Sequence, residues 1–502
     1  MKRVLLSALV LLLIPFQASA ALPSELPFHS YVFNRYDRAV PVPSSYMPLL
    51  ALSGLDLGIG ALSSPQDMAV GPCGSLFVAD TGNRRIVILD DNFNLVQVID
   101  EFIMNGELFE FLQPVSLFVT KDGRIHVADP ELRLVVTVDR GGIVQMVLGS
   151  PESEMLSENF HFTPISVIED ATGVMYILSR GSYQGALMID LVRDNLFLGF
   201  YGANQVQMNV TQVGQMIWRR IFTREQRERM IQIIPVEFTN FDICPNGFIY
   251  VASAFSENNV NQLRVLNSAG DNILRLPQIT DTNFNYGDPI HWSTRFVQVT
   301  SSFIDIAYMG NGLFAALDRT RGRIFIYNMD SHLITAFGQL GDQFGQLGSP
   351  AAIVSFGDQL VVLDSLNGEL TIFGLTEYGR LIQEALVLHD QGRYAESVDL
   401  WRAVQNRSVN FELAYLGIGR GLARSGQLRE SLWYLRRANN AQAYSEAFDF
   451  YRTEFVREHF NTLALVFVLL FLGFLAISNR ALISSLAFGK NAKKTEALHV
   501  RH

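Results

Sequence analysis

Six times along the chain a run of apolar residues closes on an apolar residue followed by Asp or Ser: Ala79-Asp80, Ala128-Asp129, Leu178-Ser179, Ala252-Ser253, Leu317-Asp318 and Leu363-Asp364. The closing residues are 49, 50, 74, 65 and 46 positions apart. That interval suits one four-stranded antiparallel unit per repeat, with two intervals lengthened by insertions. The first copy is the clearest. Met68-Ala69-Val70 is followed by a turn at Gly71 to Gly74, then Leu76 to Asp80, then Ile86 to Leu89 after a polar turn, then Leu95 to Ile99. Each apolar run is strand-length and each interruption carries turn residues.

Repeated sheets of this kind must close into a ring, because an open arc leaves strand edges unpaired. The sixth copy ends at Leu370 to Phe373 and passes straight into a helical pattern, so it lacks its outermost strand. Ahead of the first copy, Tyr46 to Leu52 precedes a Gly-rich link, in the order that Leu333 to Phe337 and its own Gly-rich link take before Pro350. The pattern therefore predicts that Met47 to Leu52 completes blade six of a β-propeller. The strand ending in Ala79-Asp80, with Gly82-Asn83-Arg84-Arg85-Ile86 after it, resembles the NHL repeat. Pro114 to Val138 and Ile304 to Tyr327 are good copies, and the copies around Ser179 and Ser253 have lost the terminal Asp. The resemblance covers residues 62–374 and implies a six-bladed propeller.

From Tyr378 the apolar period changes from two to about three and a half. Gly392-Arg393-Tyr394 with Ser397, Trp401 and Val404 recurs 34 residues later as Gly426-Gln427-Leu428 with Ser431, Leu435 and Ala438. This resembles the tetratricopeptide repeat, although Ser397 and Ser431 stand where Ala is usual and no Pro closes either copy. The resemblance implies a surface for proteins or peptides, with Trp401 as a candidate contact. A further stretch, Gln442 to His459, places Tyr444, Ala447, Phe448, Tyr451 and Phe455 on one helical face.

The two ends point to export and to a membrane. Lys2 and Arg3, an apolar run from Val4 to Phe16 and Ala18-Ser19-Ala20 read as a cleavable leader over residues 1–20. Residues 460–478 contain no charge and are just sufficient for one spanning helix. Beyond them, Arg480, Lys490, Lys493, Lys494 and Arg501 face one acid, Glu496, which favours a cytoplasmic tail over residues 479–502. The predicted organisation is thus leader, N-terminal segment 21–61 with the closing strand, propeller 62–374, helices 375–459, span and tail. The chain carries 39 basic and 49 acidic residues; without leader and tail, 32 basic stand against 48 acidic. A surface near −16 disfavours nucleic acid and anionic polymers as partners. Cys73 and Cys244 fall on opposite sides of the ring, on the order of 15 to 20 Å apart, beyond disulfide reach, and are expected as free thiols.

Candidate chemistry gathers where the innermost strands converge. Aligned on their markers, these strands place Asp67, Ser116, Ser166, Asn240, Asp305 and Ala351 at one level, with Asp242 one step further or, if blade four is shifted, at that level itself. Asp67, Asn240, Asp242 and Asp305 offer hard oxygen ligands suited to Ca²⁺, and Ser116 and Ser166 offer hydroxyls to a sugar or similar ligand. The alternative is that these groups bond to the backbone of the next blade and hold the ring together. Asp80, Asp129, Asp318 and Asp364 read as turn-capping residues. His126 and His161 lie near inner strands without a third partner, and core or turn roles suit them. No dinucleotide fingerprint, phosphate-binding loop or nucleophile elbow is visible.

An insertion at 204–235 carries Arg219, Arg220, Arg224, Arg227 and Arg229, a basic patch on an acidic domain and a candidate docking element. Gln278 to Ser302, with Phe284, Tyr286, His291 and Trp292, is expected to add aromatic contacts beside it. Together these features predict a membrane-anchored extracytoplasmic recognition or scaffold protein. It resembles bacterial single-span proteins with NHL and tetratricopeptide repeats, a group that often accompanies carbohydrate ABC transporters. That likeness implies a membrane or extracytoplasmic protein partner, or a carbohydrate. The alternative is a Ca²⁺-dependent hydrolase of lactones or glycans, because sugar lactonases resemble the same architecture.

Overall fold

A computed structural model describes residues 26–104, 106–156, 160–182, 184–202, 237–253, 262–275, 286–288, 291–292 and 298–479. The leader, the basic insertion with Arg219, Arg220, Arg224, Arg227 and Arg229, Phe284 and the basic tail lie outside these residues. The described residues fall into two compact units. One runs to Val32 and from Ser44 to Thr376; the other joins Phe33–Pro43 to the chain from Glu377 onward.

The first unit is a six-bladed β-propeller. Blade one is Asp67–Val70, Leu76–Asp80, Arg85–Leu89 and Leu95–Ile99, hydrogen-bonded in that order. Blades two and three repeat the four-stranded meander from Ser116 to Leu148 and from Pro164 to Tyr201. Blade four has three strands among the described residues, Phe238–Ile243, Ile249–Ser253 and Leu263–Leu266. Blade five spans Phe303–Gly310 to Leu333–Phe337, and blade six consists of Pro350–Phe356, Gln359–Asp364 and Glu369–Leu375 plus Tyr46–Ser53. The predicted closure is present: Tyr46–Ser53 runs antiparallel to Glu369–Leu375, from Leu375↔Tyr46 to Glu369↔Ser53. The two ends of the ring thus share one sheet.

The apolar alternation decides what is buried. In blade one every side chain of Leu76–Asp80 is buried, as expected for a strand covered on both faces. Its two faces serve different neighbours: Phe77 and Ala79 pack against Leu117, Val127 and Val136 of blade two, whereas Leu76 and Val78 pack against Val361, Leu363 and Ile372 of blade six. The core is therefore a ring of inter-blade layers. A one-residue slip would exchange the two faces of a blade.

One attachment has no precedent in the sequence reading. Tyr31–Phe33 adds a strand to the outer edge of blade five through Tyr31↔Ala336. The Tyr31 hydroxyl donates to Asp288 Oδ1 at 2.6 Å, and Arg321 and Arg323 both pair with the same carboxylate. Tyr286, expected as a surface aromatic, is 1% exposed; its ring meets Tyr327 edge-on and its hydroxyl meets Ser331 Oγ. Burial of its apolar ring beneath the same blade overrides the surface role.

The second unit is helical: α1 (Glu377–Asp390), α2 (Tyr394–Arg407), α3 (Glu412–Arg424), α4 (Leu428–Arg437), α5 (Ala441–Glu458) and α6 (Phe460–Ser478). Two helical hairpins repeat at 34 residues, and the unusual serines explain themselves. Ser397 Oγ donates to Ala385 O, and Ser431 Oγ donates to Gly419 O, each at 2.8 Å and each buried. Every polar atom these serines bring to the helix crossing is thereby satisfied. The turns before α2 and α4 use Gly392 and Gly426 at φ +78° and +79°, a conformation that Gly adopts without strain.

Candidate functional site

The innermost strands of the propeller converge on a cavity of about 140 Å³, lined by Asp67, Ser116, Ser166, Asn240, Asp242 and Asp305 among others. Their level follows from register. Asp67, Ser116, Ser166, Asn240 and Asp305 each face the residue preceding their blade's marker, namely Ala79, Ala128, Leu178, Ala252 and Leu317. In blade six the equivalent is Ala352, opposite Leu363, rather than the expected Ala351. A register shift precedes Ala352 just as one precedes Ser166, Asn240 and Asp305, so Ala352 and not Ala351 stands at their level. Asp242 faces Tyr250, so it sits one step beyond Asn240 and does not replace it.

These side chains form a relay from blade to blade. Ser166 Oγ of blade three donates to Asn240 Oδ1 of blade four at 2.5 Å, and Asn240 Nδ2 donates to Asp305 Oδ1 of blade five at 2.7 Å. Asp305 Oδ2 then accepts from the Ile353 N–H of blade six at 2.6 Å. Asp67 Oδ2 of blade one accepts from the Leu117 N–H of blade two at 2.8 Å. One level further, Asp242 Oδ2 accepts from the Tyr308 N–H of blade five at 2.7 Å. Each remaining Oδ1 takes the N–H of the following residue: Met68, Ile243 and Ile306.

Burial governs the electrostatics. Removal from water raises the carboxyls of Asp67 and Asp242 to about 6, and donated backbone hydrogen bonds only partly offset it. Asp305 is pushed well above the usual carboxylate range, first by desolvation and then by the charge of Asp67. All six carboxylate oxygens already accept an N–H, and among the described residues no three His, Cys, Asp or Glu side chains converge as metal ligands. The residues fit Ca²⁺ poorly. They fit the second expectation, an internal clasp between blades.

Between blades two and three the bridge uses different residues. His126 is fully buried; its Nδ1 meets Thr137 Oγ1 at 2.8 Å and its Nε2 meets Glu169 Oε2 at 2.7 Å. Arg124 Nη2 donates to Glu169 Oε1 at 3.0 Å. Although burial opposes it, the hydrogen bonds from His126 and Arg124 leave the Glu169 carboxyl below its ordinary value. Sequence reasoning missed Glu169 and Tyr308. The only signal was a His within the apolar strand Ile125–Asp129; its partner lies 43 residues away. His161 is exposed.

At the outer ends of the second strands the marker carboxylates cap turns. Asp129 accepts the N–H groups of Leu112, Gln113, Glu131 and Leu132 at 2.8 to 3.1 Å, and Asp364 accepts those of Gly348, Ser349, Leu366 and Asn367. Asp80 binds the Ser63 N–H and Arg85, and Asp318 binds the N–H groups of Ser302 and Thr320. Cys73 and Cys244 are both free thiols, one exposed and one buried.

The helical unit corrects one expectation. Trp401 is 1% exposed and is a core residue, not a partner contact; its ring lies so close to Gly417 that a Cβ there would approach Nε1 to 2.4 Å. The large apolar face of indole is spent on joining α2 to α3. The accessible indole is Trp433, 49% exposed, with the Arg437 guanidinium 4.0 Å above its ring. Among the described residues no single helix is by itself long and apolar enough to cross a membrane, whereas Ala441–Glu458 and Phe460–Leu475 together are, bent by 76° at their junction.

No protein-family model matches the chain, and no curated protein matches it in sequence. Solved structures similar in fold include virginiamycin B lyase from Staphylococcus aureus, at 9% identity, TM-score 0.39, and coverage of 66% of this chain and 100% of that one. A streptogramin B lyase structure is 12% identical, with TM-score 0.37 over 70% and 98% of the two chains. A protein of unknown function from Bacteroides thetaiotaomicron is 10% identical, with TM-score 0.40 over 70% and 77%. Likeness of that degree says nothing about the chemistry of this chain.

Proposed function

We propose that the chain is an exported recognition or scaffold protein held at a membrane by α6, with propeller and helical hairpins on the extracytoplasmic side and the basic tail in the cytoplasm. The observation that carries this reading is the surface of α6. The six consecutive residues Leu465, Val466, Phe467, Val468, Leu469 and Leu470 are 47% to 70% exposed, so the exposed apolar surface goes all round the helix. Phe460–Leu475 alone falls short of a membrane's width; the run to Ser478 brings the uncharged helix to 19 residues, about 28 Å. An all-round apolar helix outside any core belongs in lipid.

On this reading the propeller is of the NHL type and the 34-residue hairpins act as tetratricopeptide-like repeats that hold a protein partner near the membrane. Tethering confines the partner search to two dimensions and raises effective concentration. Two observations favour recognition over turnover. The polar groups at the channel mouth are engaged in the inter-blade relay, and the cavity of about 140 Å³ is below the ~300–1,000 Å³ typical of small-molecule sites. A partner that handles carbohydrate, such as a sugar transporter, agrees with the sequence resemblance and rests on it alone.

The test is purification of the intact chain in mild detergent beside a chain lacking residues 377–459. The expected result is retention in alkali-washed membranes and a stoichiometric membrane-protein partner that the deletion loses. Release of the intact chain by alkali, or a partner kept by the deletion, overturns the reading.

A further inference from the structure

Helix α5 changes character halfway along its length. Ala443 and Ala447 are buried against Leu416, Leu435 and Ala438, so the first two turns belong to the core of the helical unit. Beyond Ala447 no side chain of the helix is buried. That free half is not polar. Phe448 and Phe455 are 43% and 42% exposed, and with Tyr444 and Tyr451 they recur at the four-, three- and four-residue steps that define one helical face. Their rings run along the helix in contact: Tyr444 with Phe448 at 6.2 Å, Tyr451 with Phe455 at 6.3 Å, and Phe455 with His459 at 4.4 Å. Glu446, Asp449, Thr453 and Arg457 lie on the other side together with Phe450; Glu454 and Glu458 border the stripe, and Asp449 is paired to Arg452.

The stripe leads directly into α6, which is bent from α5 by 76° with His459 at the junction. If α6 stands along the membrane normal, a helix at that angle lies almost in the membrane plane. Tyr and Phe with an amphipathic His are the side chains that settle at the boundary between headgroups and acyl chains. From these features we propose that the free half of α5 lies in the membrane interface, with Phe448, Tyr451, Phe455 and His459 facing lipid. This rests on the reading of α6 as a span. The helix carries four acids, Glu446, Asp449, Glu454 and Glu458, against Arg452 and Arg457. Insertion is therefore driven by aromatic area and not by attraction to anionic lipid, so anionic headgroups do not deepen it.

The experiment uses the full chain with Cys73→Ser and Cys244→Ala, reconstituted in phosphatidylcholine nanodiscs. Single cysteines at Phe448, Phe455, Asp449, Thr453 and Phe467 carry a nitroxide label read by collision with oxygen and with a water-soluble nickel chelate. If the double replacement does not fold, the chain keeping the buried Cys244 serves. The expected result is a deep lipid position at 467, shallow lipid positions at 448 and 455, aqueous positions at 449 and 453, and no deepening when phosphatidylglycerol is added. Aqueous labels at 448 and 455 with lipid at 467 overturn the interfacial helix and leave the span standing. Labels at 448 and 455 shielded from both reagents point to a protein or a second copy on this face and overturn it equally. An aqueous label at 467 removes the span itself.

Discussion

Two belts of buried carboxylates circle the propeller, and they do opposite work. The outer belt, Asp80, Asp129, Asp318 and Asp364, binds N–H groups of its own blade: the link that enters the innermost strand and the turn that leaves the second strand. The inner group, Asp67, Asp242 and Asp305, binds N–H groups of the next blade. Asp129 collects four backbone donors, and each inner carboxylate takes one backbone N–H across the blade boundary and one from its own chain. The outer acids therefore fold blades, and the inner ones fasten blades to one another. A buried charge is tolerated in proportion to the donors that surround it.

The largest effect should follow loss of an outer carboxylate. In Asp129→Ala four N–H groups around a side chain with no exposed surface lose their acceptor, which predicts destabilisation of about 3 kcal/mol or more. The urea midpoint of the far-ultraviolet circular dichroism transition measures it. A change under 1 kcal/mol would show that water replaces the carboxylate at no cost and would erase the distinction between the belts.

A second expectation concerns pH and applies to the inner belt. Asp242 is raised to about 6 when folded, from about 3.8 when unfolded. Between those values the folded state binds the extra proton, so this group's contribution to stability is intact below pH 4 and is lost as pH rises through 6. The loss is on the order of 3 kcal/mol. Asp242→Asn removes the titration, so the variant should gain on the parent protein between pH 4 and pH 7. Comparing the two chains cancels the titrating groups that Asp242 does not influence, while Asp67 and Asp305, which its charge raises, relax in the same direction and add to the gain. A stability difference that stays flat over that range would mean that Asp242 is ionised and well solvated, which would reopen the channel to cations.

Much of the ring was legible because closure and alternation are constraints that a single sequence expresses. The strand Tyr46–Ser53 could be placed by the gap it fills, and five of the six channel positions by their offset from the markers. The sixth was misplaced by one although its spacing was there to read: Asp67, Ser116 and Ser166 stand two residues after Pro65, Pro114 and Pro164, and Ala352 stands two after Pro350. What the sequence does not express is pairing between distant residues. Nothing near His126 announces Glu169, and nothing near Tyr31 announces Asp288, 257 residues away. Trp401 illustrates the limit from the other side: its helical spacing was plain, but whether it faced a partner or Gly417 depended on a neighbouring helix.

The smallest effect should come from a marker that is not acidic. Ser179 ends the second strand of blade three, where blade two has Asp129, and its Oγ accepts one bond, from the Thr163 N–H at 2.9 Å. The other donors of that turn are provided for without it: Arg180 N–H goes to Thr163 O, Gly181 N–H to Glu237 Oε1 and Ser182 N–H to Ser179 O. Ser179→Ala should therefore cost only about 1 kcal/mol, the net worth of a single hydrogen bond. The same urea titration reads both substitutions. If Ser179→Ala proves as damaging as Asp129→Ala, the donor count is the wrong measure and burial at the strand end sets the cost. If it is a third as damaging or less, the number of N–H groups left without an acceptor explains why blade three keeps its shape after losing the carboxylate.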